Sequence, residues 1–186
     1  MPHIDIKSPA PGIRGLFEFR PETAGPLGLL AETLLRGPST LTVGERELIA
    51  ATVSRGNECT FCSLSHGAAA AAALDDGTQV VEATWRGVDE APVSAKLRAL
   101  LRIALAARET GKAVTTELVD AAKELGATDT EIHDTVLIAA AFCMYNRYVD
   151  GLATVASPDL ADYEEAGRQL IEHGYLRLGG GGTLAS

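Results

Sequence analysis

Cys59 and Cys62 are separated by two residues, and His66 follows four positions after the second cysteine. On an α-helix successive residues turn by about 100°, so Cys62 sits about 60° from Cys59 around the axis and His66 falls between them. Residues three apart on a helix have Cα atoms roughly 5 Å apart, inside the range a disulfide accepts, so the two sulfurs can join and part with little backbone movement. Thiol chemistry requires thiolate, and an unperturbed cysteine with a pKa of about 8.5 is only a few per cent ionised at neutral pH. Free N–H groups at the start of a helix favour an anion there, and a histidine one turn away can take the thiol proton. A carboxylate would then orient that histidine. Glu45, Glu47 and Glu58 are all close enough in sequence to serve, and spacing alone does not choose among them.

Two other readings compete for the same residues. Two small apolar side chains in a helical core would also place Cys59 and Cys62 together. Zinc is the second: the pair plus His66 supplies three ligands and Glu47 could be a fourth, although no second CxxC and no HxxxH exists to complete a structural site. Cys143 lies in the apolar run Ala139 to Met144 and reads as a buried, inert thiol, while His3, His133 and His173 have no such partnership. Asn146, Arg147 and Asp150 interrupt an otherwise apolar helix, and Asn146 and Asp150 share a face at i,i+4. They form either a structural or subunit-contact cluster, or a group that brings Arg147 or Asn146 to line the thiol pocket. Trp85 reads as packing.

The elements that must position these residues are helical. Residues 1 to 26 hold five prolines and read as an irregular arm, with Phe17 and Phe19 as anchors and no chemistry of its own. A short helix is expected from Pro26 to Leu35. Thr42 and Glu45 have capping-box spacing and open the next helix, which runs to about Arg55. After Gly56-Asn57 a third helix carries Cys59, Cys62 and His66 into six consecutive alanines, whose lack of bulk lets another helix approach closely. Helical stretches follow near Gln79 to Trp85, Ser94 to Arg108 and Thr116 to Leu125. A second capping box, Thr128 and Glu131, opens a long helix reaching toward Val155, and a last helix fits Leu160 to His173. No convincing period-2 strand pattern occurs, so the fold class is all-α. Thr42, Arg46, Leu48 and Ile49 match Ser94, Arg98, Leu100 and Leu101 at an offset of 52 positions, which suggests an internal helical duplication that keeps the acid, Glu47, in the first half only. The organisation expected is an arm over 1–26, a helical domain over 27–175 and a flexible Gly-rich tail over 176–186.

Composition narrows the function classes. A chain of 186 residues supports one well-buried domain. With 46% hydrophobic but only 5% aromatic residues, its core must be built from Ala, Leu, Ile and Val. A net charge of -9 without clustered Lys and Arg argues against a nucleic-acid partner. No apolar run approaches the roughly 20 residues of a membrane span, and the N-terminal sequence lacks the layout of a secretory signal. Three cysteines, an odd number, do not make a secreted disulfide framework, so a cytoplasmic location is expected and the close pair reads as catalytic or metal-binding.

The pattern Glu47, eleven residues, Cys59-Thr60-Phe61-Cys62, three residues, His66 resembles the AhpD-like alkylhydroperoxidases of the carboxymuconolactone decarboxylase superfamily. The stretch GERELIAATVSRGNECTFCSLSHGAAAA is similar to the peroxidase-related branch, and YNRYVDGLAT resembles that branch's second recurrent segment. The resemblance covers about residues 10 to 175. It implies an AhpD-like helical bundle that forms dimers, trimers or hexamers, and peroxidase or disulfide-reductase activity without cofactor or bound metal. It also implies that Glu47 and His66 relay protons to Cys62 while Cys59 closes the disulfide. The substrate is then a peroxide, and the reductant a small thiol or a lipoyl-bearing or thioredoxin-like protein. A disulfide relay feeding a separate peroxidase, and a non-catalytic metal-binding oligomer, are the rival functions. One departure matters: AhpD itself can carry a second histidine immediately before the second cysteine, where this chain has Phe61. The lactone decarboxylases that name the superfamily typically lack the CxxC pair.

Overall fold

In the computed structural model, residues 1–176 are described, and all regular structure among them is helical. The elements are α1 (Ile13–Phe19), α2 (Pro21–Arg36), α3 (Val43–Gly56), α4 (Thr60–Ala73), α5 (Gly77–Arg86), α6 (Ala95–Glu109), α7 (Thr116–Glu124), α8 (Asp129–Gly151) and α9 (Leu160–His173), with short 3-10 turns at Val88–Glu90 and Gly111–Ala113. Almost all of the tail expected at 176–186 lies outside the described residues.

Helix α3 is the centre of the molecule. Every residue from Arg46 to Ser54 is buried, so α3 has no solvent face and is wrapped by α4, α6 and α8. Its N-terminus is fixed by the expected capping box, in which the Thr42 hydroxyl accepts from the Glu45 N–H and the Glu45 carboxylate accepts from the Thr42 N–H. Arg46 is buried with its guanidinium donating to the Leu34 and Gly37 carbonyls, which satisfies acceptors left free at the end of α2. The alanines of α4 behave as their size predicts. Ala69 and Ala70 are fully buried, and Gly167 of α9 approaches so closely that a Cβ there would lie 2.6 Å from the Ala68 backbone. Thr42 and Ser94, which correspond in the 52-residue echo, are both N-caps accepting from the residue three positions on.

Three helices stop in the same way. At the ends of α3, α7 and α8 the second residue past the cap donates back across the last turn (Cys59 N–H to Ser54 O, Ala127 N–H to Ala122 O, Thr154 N–H to Val149 O). The residue between is left-handed. That residue is Gly126 after α7, but Glu58 after α3 and Ala153 after α8, both at a conformation L side chains adopt at a cost. The Ala153 turn ends α8 at Gly151, short of the expected Val155. The Glu58 turn leaves only Asn57, Glu58 and Cys59 between α3 and α4.

Two expectations need correction. The N-terminal segment is not an irregular arm: it contains α1, and α2 begins at Pro21 rather than Pro26. Proline is well suited to a first helical position, where its missing N–H has no partner to lose, and Pro26 is carried inside α2. Phe17 is buried, whereas Phe19 stays exposed. Cys59 is not on the helical face with Cys62 and His66. It is the N-cap of α4, with extended backbone angles, so the helical-wheel relation holds for Cys62 and His66 alone.

Glu131 ties the base of the bundle together. Its carboxylate closes the α8 capping box and receives hydrogen bonds from Lys96 of α6 at 2.7 Å and Thr40 at 2.8 Å. Burial alone would push its pKa up, but the hydrogen bonds from Lys96, the Thr128 backbone and Thr40 outweigh it and hold the group at about 2. An unfolded glutamate titrates near ~4.3, so this carboxylate contributes stability above that value and loses it as pH falls through about 2. Glu131→Gln is therefore expected to cost about 2–3 kcal/mol at neutral pH. The gap to the parent should close on acidification from pH 4 to 2, as read by urea melts at each pH. Ala153→Gly is expected to raise stability by about 0.5–1 kcal/mol by relieving the left-handed residue, seen as a higher urea midpoint at unchanged slope.

Candidate active site

The α3–α4 turn brings the first helix's acid and the second helix's thiols to one place. Glu45 is committed to the capping box and Glu58 is exposed in the turn, which leaves Glu47, 0% exposed, as the carboxylate facing α4. Its Oε2 lies 2.8 Å from His66 Nδ1. With a carboxylate at Nδ1, that nitrogen carries the proton and Nε2 is left as the free ring nitrogen. The imidazole is clamped on both sides, edge-on to Phe142 of α8 at 4.5 Å and stacked with Tyr175 at 6.0 Å.

Cys62 is in the first turn of α4, where the helix presents unpaired N–H groups. The Cys59 thiol donates to the Cys62 sulfur, which raises the Cys59 pKa, with burial adding to the rise. The same hydrogen bond lowers the Cys62 pKa, and although burial opposes this, the charge His66 takes on when protonated and a hydrogen bond from Asn146 add to the lowering. The two cysteines are thus unequal: Cys62 is the one biased toward thiolate, and Cys59 the one held as thiol. Both are free thiols in this structure, as is the buried Cys143.

A cavity of about 550 Å³ opens onto this arrangement. Cys62, His66 and Tyr175 lie on its wall, and Cys59, fully buried, does not. Most of the remaining lining is apolar and comes from distant parts of the chain: Phe17 of α1, Ala31 of α2, Phe142 of α8 and Leu170 of α9 among others. Phe61, at the position of the absent second histidine, forms part of the same wall. Its ring meets Tyr163 edge-on and is covered by Gly12, where any Cβ would overlap it. The N-terminal segment, to which the sequence assigned no chemistry, therefore builds one side of the cavity.

Asn146 and Arg147, both expected near the pocket, part company. Asn146 is buried behind the thiols, donating to Ser54 Oγ at 3.0 Å and accepting from Asn57 Nδ2 at 2.8 Å. Arg147 is exposed, donates to the Cys143 carbonyl, and lines a separate polar recess with Asn57, Asn146 and Asp150. His173 lines the main cavity, while His133 is exposed beside Asp134 and His3 is exposed. Among the described residues no three His, Cys, Asp or Glu side chains converge as a metal site would require. Nor is any helix there long and apolar enough to cross a membrane.

Tyr175 is the residue that sequence reasoning missed. It follows Gly174, the left-handed residue past α9, and its hydroxyl donates to Glu47 Oε1 at 2.5 Å. The one available signal was a tyrosine directly after a helix-ending glycine, since a buried phenol must find a partner.

Residues 21–100 match the model of the carboxymuconolactone decarboxylase family, a span that includes Glu47, both paired cysteines and His66. No curated protein matches the chain. The fold is similar to the alkylhydroperoxidase AhpD core of a peroxidase-related protein from Ralstonia eutropha JMP134, at TM-score 0.75 and 24% identity over 86% of this chain and 82% of that one. It is equally similar to a peroxidase-related protein from Silicibacter sp. TM1040, at TM-score 0.75 and 26% identity over 85% of this chain and 81% of that one. By the match over residues 21–100 and the shared fold, this chain is similar to the carboxymuconolactone decarboxylase family and to AhpD-like, peroxidase-related proteins.

Proposed function

We propose that the chain is an alkylhydroperoxidase-type enzyme that reduces organic peroxides by cycling Cys59 and Cys62 between dithiol and disulfide. The observation that carries this reading is the placement of Cys62 and His66 on one wall of an apolar cavity, with Glu47 behind His66 and Cys59 behind Cys62. The names of the two structural relatives, both peroxidase-related, agree with it.

In the first step the Cys62 thiolate attacks the terminal oxygen of a hydroperoxide. The O–O bond breaks, the sulfur is oxidised to sulfenic acid, and the alkoxide leaves as an alcohol with a proton held at His66 Nε2. Cys59 then attacks that sulfur. The S–S bond forms, and the sulfenic oxygen departs as water with the Cys59 proton. Two electrons and two protons from an external dithiol restore the pair; a small thiol, a lipoyl-bearing protein or a thioredoxin-like protein has the required chemistry. Glu47 keeps the proton on Nδ1, and Asn146 steadies the thiolate from the side away from the cavity.

The rest of the reading extends from this. A single relay histidine, with Phe61 in the second place, makes the site a dithiol whose proton traffic passes through His66. The enzyme works in the cytoplasm, where thiol reductants are abundant, and as a homo-oligomer. Leu137 and Met144, exposed seven residues apart on α8, offer a second copy an apolar face.

Treatment of the reduced protein with one equivalent of an alkyl hydroperoxide is expected to lighten the peptide holding Cys59 and Cys62 by two hydrogens in intact-mass analysis. In Cys59→Ser a sulfenic acid should accumulate at Cys62, and in Cys62→Ser neither product should form. A peptide of unchanged mass, with no peroxide consumed in the presence of a chemical dithiol, would assign the protein to disulfide relay instead. The apolar cavity is also expected to favour bulky hydroperoxides. Burying two or three methylene-sized groups of substrate corresponds to about 10-fold or more in kcat/KM for cumene hydroperoxide over hydrogen peroxide. Equal values would count against the cavity as the peroxide site.

A further inference from the structure

Tyr175 reaches the site from the far end of the chain, 128 positions from Glu47 and 109 from His66. Its hydroxyl is 2.5 Å from Glu47 Oε1 and 3.2 Å from His66 Nδ1, so it touches both members of the pair behind Cys62. The segment that carries it is tied down independently: the Tyr175 N–H donates to Glu32 Oε2 of α2 at 2.7 Å. A carboxylate is an acceptor only, and a fully buried one needs donors on both oxygens. His66 serves Oε2 and Tyr175 serves Oε1.

We infer that Tyr175 is a positioning residue of the thiol site: its hydroxyl locks the Glu47 carboxylate so that Oε2 faces His66 Nδ1, which fixes the imidazole with Nε2 turned toward the Cys62 side. This rests on the reading of Cys62 as the reactive thiol. It gives the site a third polar member beyond the glutamate and histidine, supplied by the segment past α9 and not by the α3–α4 unit that holds the rest. The hydroxyl is suited to the part. Burial and the neighbouring Glu47 push the Tyr175 phenol well above its ordinary pKa, so it remains a donor throughout the range in which the thiols titrate.

The groups whose charge bears on the pair are few. Around the Cys62 sulfur they are Cys59 and His66 and, from α8, Asp150. Around the Tyr175 ring they are Glu47 from α3 and Glu32 and Arg36 from α2. Arg14 of α1, Tyr145 of α8 and Asp162, Tyr163, Glu165 and His173 of α9 face the cavity that both share.

The test reads thiolate formation rather than turnover. In a Cys59→Ser background, the rate of Cys62 alkylation by iodoacetamide is followed against pH by peptide mass, which keeps Cys62 distinct from Cys143. Tyr175→Phe keeps the stacked ring and removes only the hydroxyl. It is expected to move the alkylation midpoint up by about half a unit to one unit, slowing reaction at pH 7 by roughly 3- to 10-fold. The shift should disappear when Glu47→Gln is already present, because both changes cut the same link. A curve that does not move, or a shift that persists unchanged in the Glu47→Gln background, overturns the inference. If Tyr175→Phe does not fold, Glu32→Ala provides the second variant. It keeps the phenol but releases the Tyr175 backbone, so the hydroxyl is no longer held against Glu47, and it should move the curve in the same direction; no movement there overturns the inference. Alkylation needs no peroxide, so a protein that consumes none would sink the proposed reaction and leave this result standing.

Discussion

A carboxylate at the middle of a helix with no solvent face is the constraint around which this molecule is arranged. Glu47 is fully buried, and a charged or polar group taken out of water is tolerated only when its hydrogen-bonding capacity is met inside the protein. The neighbouring helices must therefore deliver donors to it, and they do so from two directions. His66 arrives on α4, one three-residue turn away in sequence, and Tyr175 arrives after the whole chain has folded around α3. The polar side of the site is thus a requirement of the core as much as of chemistry. Removing either donor leaves a buried oxygen unpaired, and for that reason the site and the fold stand or fall together.

The same constraint explains why α3 and α4 are joined so tightly. Only Asn57, Glu58 and Cys59 separate them, and the turn closes by placing a non-glycine residue, Glu58, in a left-handed conformation. Backbone strain of that kind persists where the surrounding structure over-determines it. Here the return hydrogen bonds from Glu58 to Arg55 and from Cys59 to Ser54 fix the turn, and the turn sets Cys59 as the N-cap directly under Cys62. The inequality of the two sulfurs follows from this local geometry. Cys59 donates from the cap position, and Cys62 accepts within the first turn, where the helix N-terminus and His66 both favour negative charge.

What the sequence made legible was what depends on neighbours along the chain. The two capping boxes at Thr42 and Thr128, the bounds of α9 and the i,i+4 relation of Cys62 and His66 are all local, and all stand as spacing predicts. The choice of Glu47 over Glu45 and Glu58 was not local. It depends on Glu45 being taken by the cap and Glu58 being turned outward, both properties of the folded turn, and only the family resemblance anticipated it. Tyr175 and the cavity wall from α1 and α2 were illegible for a related reason. Contacts made across more than a hundred residues leave no periodic trace, and a proline-rich opening segment reads as irregular until Pro21 is seen to sit at a first helical position. Arg147 shows the opposite error of proximity: adjacent in sequence to Asn146, it points 100° away around α8 and reaches solvent.

The apolar character of the cavity bears on how protons move in it. Phe61, Phe142 and Phe17 make much of the wall beside Cys62 apolar, and an apolar wall strengthens each electrostatic contact that remains at the sulfur. Among the described residues, His66 is the titratable side chain one turn beyond Cys62 on the same helix face, placed to exchange a proton with it. A second histidine at the Phe61 position would have lain on the cavity wall itself, exposed to whatever occupies it. In this chain a phenylalanine occupies that position, and the additional polar group, the Tyr175 hydroxyl, lies behind His66 against Glu47. The arrangement sets Cys62 against an apolar wall and keeps the Glu47–Tyr175 hydrogen bond behind the imidazole.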